Sequence, residues 1–155
     1  MNTRRLASVA LAAVVVLSTA GCSMISPQAT TITYSPAEGV NIAHSEPLKV
    51  RNALFVANED GTEANFLAAI VNDTDSAESL LVGVDGTTQR VRVPARSTVS
   101  LGFDGADPLL FTGLSSKPGT DVKVSFQSGT GEAVEDRVPV LDGTLSYLAD
   151  FVPAS

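Results

Sequence analysis

The chain has 155 residues, 44% of them hydrophobic and 5% aromatic, with a formal net charge of −7 and a single cysteine. That is about one domain of sequence, and an acidic chain with so few Lys and Arg has no means of gripping a phosphate backbone, so nucleic acid is excluded as a partner. One cysteine rules out an internal disulfide, and one histidine leaves little material for a metal site or a histidine-assisted nucleophile.

The N-terminus carries Arg4 and Arg5, then an apolar or small run from Leu6 to Ala20, and no acidic residue precedes Glu38. A run of about 15 residues suits the core of a signal peptide and falls short of the roughly 20 that a spanning helix needs. It leads directly into Thr19-Ala20-Gly21-Cys22, which resembles the bacterial lipobox. Small residues let the extended chain enter a peptidase cleft, and the cysteine supplies the thiol for a thioether-linked lipid. Thr19 stands where Leu is commoner. The competing readings are an uncleaved anchor and an ordinary secretory signal with an incidental cysteine. Acylation accounts for a lone exported thiol, and two or three acyl chains make the attachment effectively permanent. The Arg4-Arg5 pair also suits twin-arginine export, but Ala7 and Ser8 fit that pattern poorly, so the general secretory route is expected. Cleavage before Cys22 removes two of the ten basic residues and none of the seventeen acids, leaving 134 residues with a net charge of −9. The acids are scattered along the chain, as solubility requires.

Residues 22–30 are short and polar and read as a tether. Strand and turn signals follow. Thr31–Tyr34 is β-branched and aromatic; Leu48–Ala57 is a long β-like run bounded by Glu46-Pro47 and by Asn58-Glu59-Asp60-Gly61. Asn65–Asn72 comes next, closed by Asp73-Thr74-Asp75, and then Ser79–Val84, which ends in the tight-turn dipeptide Asp85-Gly86. Gln89–Val93 and Thr98–Phe103 alternate polar with apolar, as half-buried strands do. Pro108–Leu114, Asp121–Phe126 and Glu132–Leu141 complete the series. Eight or nine short strands with turns between them predict an all-β domain over 31–142, a Greek-key sandwich of cupredoxin-like or immunoglobulin-like type with about 8 strands. In the tail, 143–155, apolar residues at 145, 148 and 151 or 152 share one helical face. A short helix is expected there. It either packs on the sandwich as a lid or offers Tyr147, Leu148 and Phe151 to a partner or to the membrane.

Two stretches carry a family resemblance. Phe66-Leu-Ala-Ala-Ile-Val-Asn-Asp-Thr-Asp, with Glu78-Ser-Leu-Leu-Val-Gly-Val after it, resembles the opening of the periplasmic copper chaperones of the PCuAC-like, cupredoxin-like family. Val91-Arg-Val-Pro begins the second, which continues through Gly113-Leu114, Lys117-Pro118, Gly119-Thr120-Asp121 and the closing Val138-Pro-Val. The resemblance covers 48–141 and consists of core and turn positions, so it speaks for fold more than for function. It implies copper(I) bound by His and Met, ligands suited to a soft ion. One His-x-Met pair of the family falls just before the Gly-Leu; counting back from Gly113-Leu114 places Pro108 and Leu110 there. The family's other ligands lie between the Val-Gly-Val and Val-x-Val-Pro strands, where this chain has only Asp85-Gly-Thr-Thr-Gln-Arg90. The chain is therefore most similar to actinobacterial cell-envelope lipoproteins that resemble the chaperones without their copper ligands.

After Cys22 the only His is His44 and the only Met is Met24. His44, between Ala43 and Ser45 near a turn, is the one candidate metal ligand or pH-sensitive contact, and a solvated or structural role is expected for it. Asp73, Asp75 and Glu78 form a small acidic cluster on a turn, without the Gly and late Glu of an EF-hand loop. No Gly-x-Ser-x-Gly elbow occurs, and Gly129-Thr-Gly and Gly83-Val-Asp-Gly read as hairpin turns. No catalytic residue and no cofactor are expected. The sequence predicts a lipid-anchored extracytoplasmic module whose partners are the membrane, through Cys22, and an envelope protein or component. The alternative is a copper-handling protein with a degenerate or intermolecular site.

Overall fold

Period-two alternation shapes most of this chain. Val122, Val124 and Phe126 point inward while Asp121, Lys123 and Ser125 point out, and Leu80, Val82 and Val84 repeat the pattern. The computed structural model describes residues 37–103 and 106–154. The leader, the lipobox residues Thr19, Ala20, Gly21 and Cys22, the tether and the strand expected at Thr31–Tyr34 lie outside the described residues.

Eight strands form: β1 Leu48–Ala57, β2 Glu63–Asn72, β3 Glu78–Val84, β4 Thr87–Val93, β5 Ser97–Leu101, β6 Leu109–Thr112, β7 Asp121–Ser128 and β8 Val134–Leu141. Their order is β4-β3-β7-β8-β1-β2-β5, with β6 also on β2. Strands β5 and β6 share one side of β2, β5 against Ala68–Asn72 and β6 against Glu63–Phe66. The result is an all-β, cupredoxin-like sandwich, with β1, β2, β5 and β6 facing β3, β4, β7 and β8. Every pairing between these strands is antiparallel except one: β8 meets β1 in parallel, Phe55 opposite Val140 and Val56 opposite Leu141, and so joins the two sheets.

Four phenylalanines fill the space between the sheets. Phe55 meets Phe66 at 5.2 Å between ring centroids and Phe111 at 5.7 Å, and Phe66 meets Phe126 at 6.1 Å, all tilted or edge-on as ring quadrupoles favour.

Strand β1 changes parity at Asn52. Leu48 and Val50 face the core, and so do Ala53 and Phe55, because a bulge between Arg51 and Leu54 inserts an extra residue. Asn52 adopts φ 49°, a left-handed conformation that Asn tolerates better than most residues. Its Oδ1 accepts the Gly39 N–H at 2.8 Å, and its own N–H donates to Asn41 Oδ1 at 3.0 Å. Position 39 must be glycine: a Cβ there would lie 2.6 Å from the Ala53 carbonyl oxygen.

The parity change turns Leu54 and Val56 to the outer face, where Leu67 joins them and the tail covers all three. Helix in the tail is limited to one 3-10 turn, Ala149–Phe151. Leu148, just before it, is 1% exposed and packs among Leu54, Val56 and Leu67. The lid arrangement is thus the one adopted.

Phe55 is fully buried and touches both neighbouring rings. Phe55→Ala should cost about 3–5 kcal/mol of stability, a large part of what a domain of this size possesses. Urea unfolding followed by circular dichroism should show a much lower midpoint with an unchanged slope.

Candidate functional site

The family resemblance directs attention to the start of β6 and to the β3–β4 connection. Strands β3 and β4 are joined by the shortest hairpin available. Asp85 and Gly86 both have positive φ, 46° and 84°, and Val84 pairs with Thr87. This is the geometry of a type I′ turn, whose twist matches that of the strands. No segment projects from it that would carry ligands. Pro108 precedes β6, and Leu110 lies on its outer face, 46% exposed and opposite Asn65 of β2. The Gln89 Nε2 on β4 donates to the Leu110 carbonyl. A carboxamide therefore bridges the two sheet edges at the place where the resemblance puts a metal site, and it offers copper(I) no soft atom.

His44 is exposed, in a left-handed conformation with φ 57°. Its neighbour Ser45 is buried: the Ser45 hydroxyl donates to the Leu48 carbonyl at 2.9 Å, and the Ser128 hydroxyl donates to the Ser45 carbonyl at 2.6 Å. His44 thus sits at the end of the sandwich where β7 finishes and β1 begins. Leu110 lies in the other half, beside the first residues of β2. The two are not brought together. Among the described residues no group of three or more His, Cys, Asp or Glu side chains is placed to hold a metal ion. Met24 lies outside the described residues.

The acidic turn has a structural explanation. Asp73 pairs with Lys49 at 2.6 Å and Asp75 with Arg96 at 2.8 Å, while the Ser76 hydroxyl donates to Glu78 at 3.1 Å. At its centre is Asn72, 1% exposed, which the sequence reading took as a strand end and as part of the turn that carries the family resemblance, without a role of its own. The Asn72 Nδ2 donates to the Ser76 and Pro94 carbonyls at 2.9 and 3.0 Å, and Oδ1 accepts from the Thr74 N–H and hydroxyl at 3.0 and 2.8 Å. One buried amide thereby satisfies the backbone of two loops, the usual condition for burying a polar group. A polar residue closing an apolar run, directly before Asp-Thr, was the available signal.

The tail residues occupy distinct environments. Tyr147 is 49% exposed, and its hydroxyl donates to Glu38. That bond lowers the Glu38 carboxyl below its ordinary value and raises the Tyr147 phenol. The half-buried Phe151 stands edge-to-face with Phe103 at 5.2 Å. Leu148 is enclosed by the sheet it covers, which corrects the expectation that it is offered to a partner. Of the three, only Tyr147 and the outer edge of Phe151 face outward.

On the far sheet an open recess of about 280 Å³ lies over Gly83, rimmed by Thr88, Ser125, Lys123 and Glu135. The Lys123–Glu135 ion pair at 2.6 Å crosses it. Gly83 lies at its base, where a Cβ would collide with the Ser125 hydroxyl.

No protein-family model matches the chain, and no curated protein matches it. Solved structures do. The apo PCuAC domain from PmoF1 is 19% identical with a TM-score of 0.50, over 60% of this chain and 92% of that one. The copper-bound PCuAC domain from PmoF2 is 14% identical with a TM-score of 0.52, over 66% of this chain and 98% of that one. At such identities the likeness establishes a shared fold.

The Lys49 ammonium beside Asp73 holds its carboxyl below the ordinary 3.8. A depressed carboxyl contributes stability that is present above its unfolded-state pKa and is lost as pH falls through the folded one. For this exposed pair the effect is small. Lys49→Met should therefore melt slightly below the parent at neutral pH, and the two melting curves should converge once the solution is more acidic than the depressed value. Thermal melts across pH 7 to pH 2 test this.

Proposed function

We propose that this chain is a lipoprotein, acylated at Cys22 and held on the extracytoplasmic face of a membrane, whose β-sandwich binds an envelope protein or other envelope component without catalysing a reaction. The observation that carries the non-metal part of this reading is the chemistry at β6 and the β3–β4 turn: Pro108, Leu110 and a two-residue hairpin occupy the positions that the resemblance gives to ligands, and Gln89 bridges the strands there. The anchoring rests on the short apolar leader, the Thr19-Ala20-Gly21-Cys22 motif and a thiol with no partner within the chain.

A second reading has one observation in its favour. The sandwich shares its fold with a PCuAC domain that was solved with copper bound. His44 is exposed on a turn, so two copies could pool their imidazoles, or a partner could supply the missing ligands. Within one chain a single imidazole cannot complete the coordination that copper(I) sites use.

A copper(I) competition titration on residues 23–155 separates the two readings, since Cys22 is then absent. Binding no tighter than the competitor, unaffected by His44→Ala, is the expected result. Stoichiometric binding that His44→Ala abolishes would put the copper reading first. The anchor is tested on its own by mass spectrometry of the membrane-extracted protein. The expected result is cleavage before Cys22 with a diacylglycerol-sized gain in mass, both lost in Cys22→Ser.

A further inference from the structure

The large hydrophobic side chains that remain exposed among the described residues are Phe103 at 40%, Leu110 at 46%, Leu145 at 43% and Tyr147 at 49%. All four belong to one face of the molecule, the outer surface of the β1-β2-β5-β6 sheet together with the tail that crosses it. Leu110 stands opposite Asn65, whose Nδ2 donates to the Phe151 carbonyl at 2.8 Å. Phe151 meets the Phe103 ring. Leu148 fixes the tail onto Leu54, Val56 and Leu67, which leaves Leu145 and Tyr147 on its outer side. The outer face of the other sheet is different in kind. Arg90, Arg92, Lys123, Glu135 and Arg137 are exposed there, with Lys123 paired to Glu135 and Arg137 to Asp121.

The chain also enters the domain on the apolar face. Tyr147 bonds Glu38, and Glu38 follows Ala37, which is fifteen residues after Cys22. Even fully extended, that segment spans no more than about 50 Å. We infer that this face rests on the headgroup–acyl boundary of the same membrane that holds Cys22, at a zwitterionic lipid surface, an inference that builds on the lipid-anchor reading above. Phenyl, phenol and leucyl groups are the types that settle at that boundary. None of the four lines any of the recesses found among the described residues, so they suit a fluid surface better than a shaped protein partner. Four side chains give only weak affinity, but a tether keeps the local lipid concentration high enough for a weak contact to be occupied. Glu38, Asp142 and Asp150 are exposed on the tail and at the chain entry beside it, and their charge opposes anionic headgroups there. The exposed Lys49 and Arg51 of the same sheet stand before the bulge, at the other end of β1, so the patch itself favours a neutral lipid surface. The charged face of the β3-β4-β7-β8 sheet then points away from the membrane, where a partner can reach it.

The test uses the acylated mature protein in phosphatidylcholine vesicles, with acylation verified by mass. A nitroxide is placed by Leu110→Cys and, in a separate sample, by Arg92→Cys; Cys22 is blocked by its lipid. Power-saturation spectroscopy should show a several-fold fall in accessibility to a water-soluble nickel complex at 110, a rise in accessibility to oxygen there, and no change at 92. Replacing half of the phosphatidylcholine by phosphatidylglycerol should reduce the effect at 110. Equal nickel accessibility at both sites in the acylated sample overturns the inference. Shielding of 110 in vesicle-free protein, growing with protein concentration, also overturns it and assigns the face to a second copy. Should the mass show no acyl group, the anchor reading fails separately. The label at 110 is then read on protein held to the vesicles by a synthetic lipid coupled at its N-terminus: shielding there sustains the lipid contact, and its absence ends it.

Discussion

From Ala53 to Ala57, β1 has no side open to water, and the architecture follows from enclosing it. Ala53, Phe55 and Ala57 face the sandwich core, Leu54 and Val56 face the tail, and the backbone pairs with β2 on one side and β8 on the other. A strand in an antiparallel sandwich ordinarily presents one face to solvent. This one requires a covering element, and the tail supplies it with Leu148. The bulge at Asn52 makes the arrangement possible: before it the strand alternates conventionally with Lys49 and Arg51 exposed, and after it every residue is buried. The same Asn52 receives the Gly39 N–H, so the entering chain is fixed where β1 changes character. N-terminal entry, central strand and C-terminal tail are thus parts of one packing problem.

Much of this was legible in the residues. The run Leu48–Ala57 coincides with β1 from end to end, because Pro47 before it and the Asn58–Gly61 turn after it leave no other boundary. Elsewhere pairing moved the ends. Strand β2 starts at Glu63, before the apolar run, because Glu63 finds Thr112 of β6. Strand β6 stops at Thr112, short of the apolar Leu114, because the Gly113 and Leu114 N–H groups both turn to the Thr62 carbonyl. Strand β7 extends through the polar Ser128, whose hydroxyl is required by the buried Ser45. The parity change at Asn52 was not legible: Val50 and Ala53 are both small and apolar, and only a partner strand reveals that they share a face. The tail was half legible. Its apolar spacing announced a buried stripe, but a single 3-10 turn is enough to deliver one leucine to a flat sheet.

The candidate site was legible for a different reason. Core and turn positions specify the sandwich, whereas ligands in such a fold would stand on strand edges and hairpins, where a substitution disturbs little packing. The two sets of residues vary independently. Leu110 and Pro108 are exposed or edge positions, and a two-residue Asp85-Gly86 turn closes the β3–β4 hairpin as well as a longer connection would. Chemistry at these places can be exchanged while Phe55, Phe66, Phe111 and Phe126 hold the sheets together. In this chain Gln89 places a hydrogen bond there that ties β4 to β6. Asn72 illustrates the converse. It resembles a site residue, being polar, buried and fully bonded, yet its partners are the protein's own loops and the last residue of β4.

The uneven distribution of the exposed residues links these features to the proposed anchoring. A domain with scattered exposed leucines and phenylalanines would need no explanation, since single apolar side chains at the surface are ordinary. Here they gather on the tail and beside it, while the opposite sheet is laid out in charged pairs and the exposed Lys49 and Arg51 of the covered sheet lie before the bulge. The tail is what produces the asymmetry. By covering Leu54, Val56 and Leu67 it removes an apolar sheet surface from water, and in crossing it raises Leu145 and Tyr147 on its own far side. A covering element with a polar back would have sufficed for folding alone. One with an aromatic and aliphatic back, joined by Tyr147 to the point where the chain enters, fits a domain whose underside meets lipid and whose charged sheet is left free for recognition.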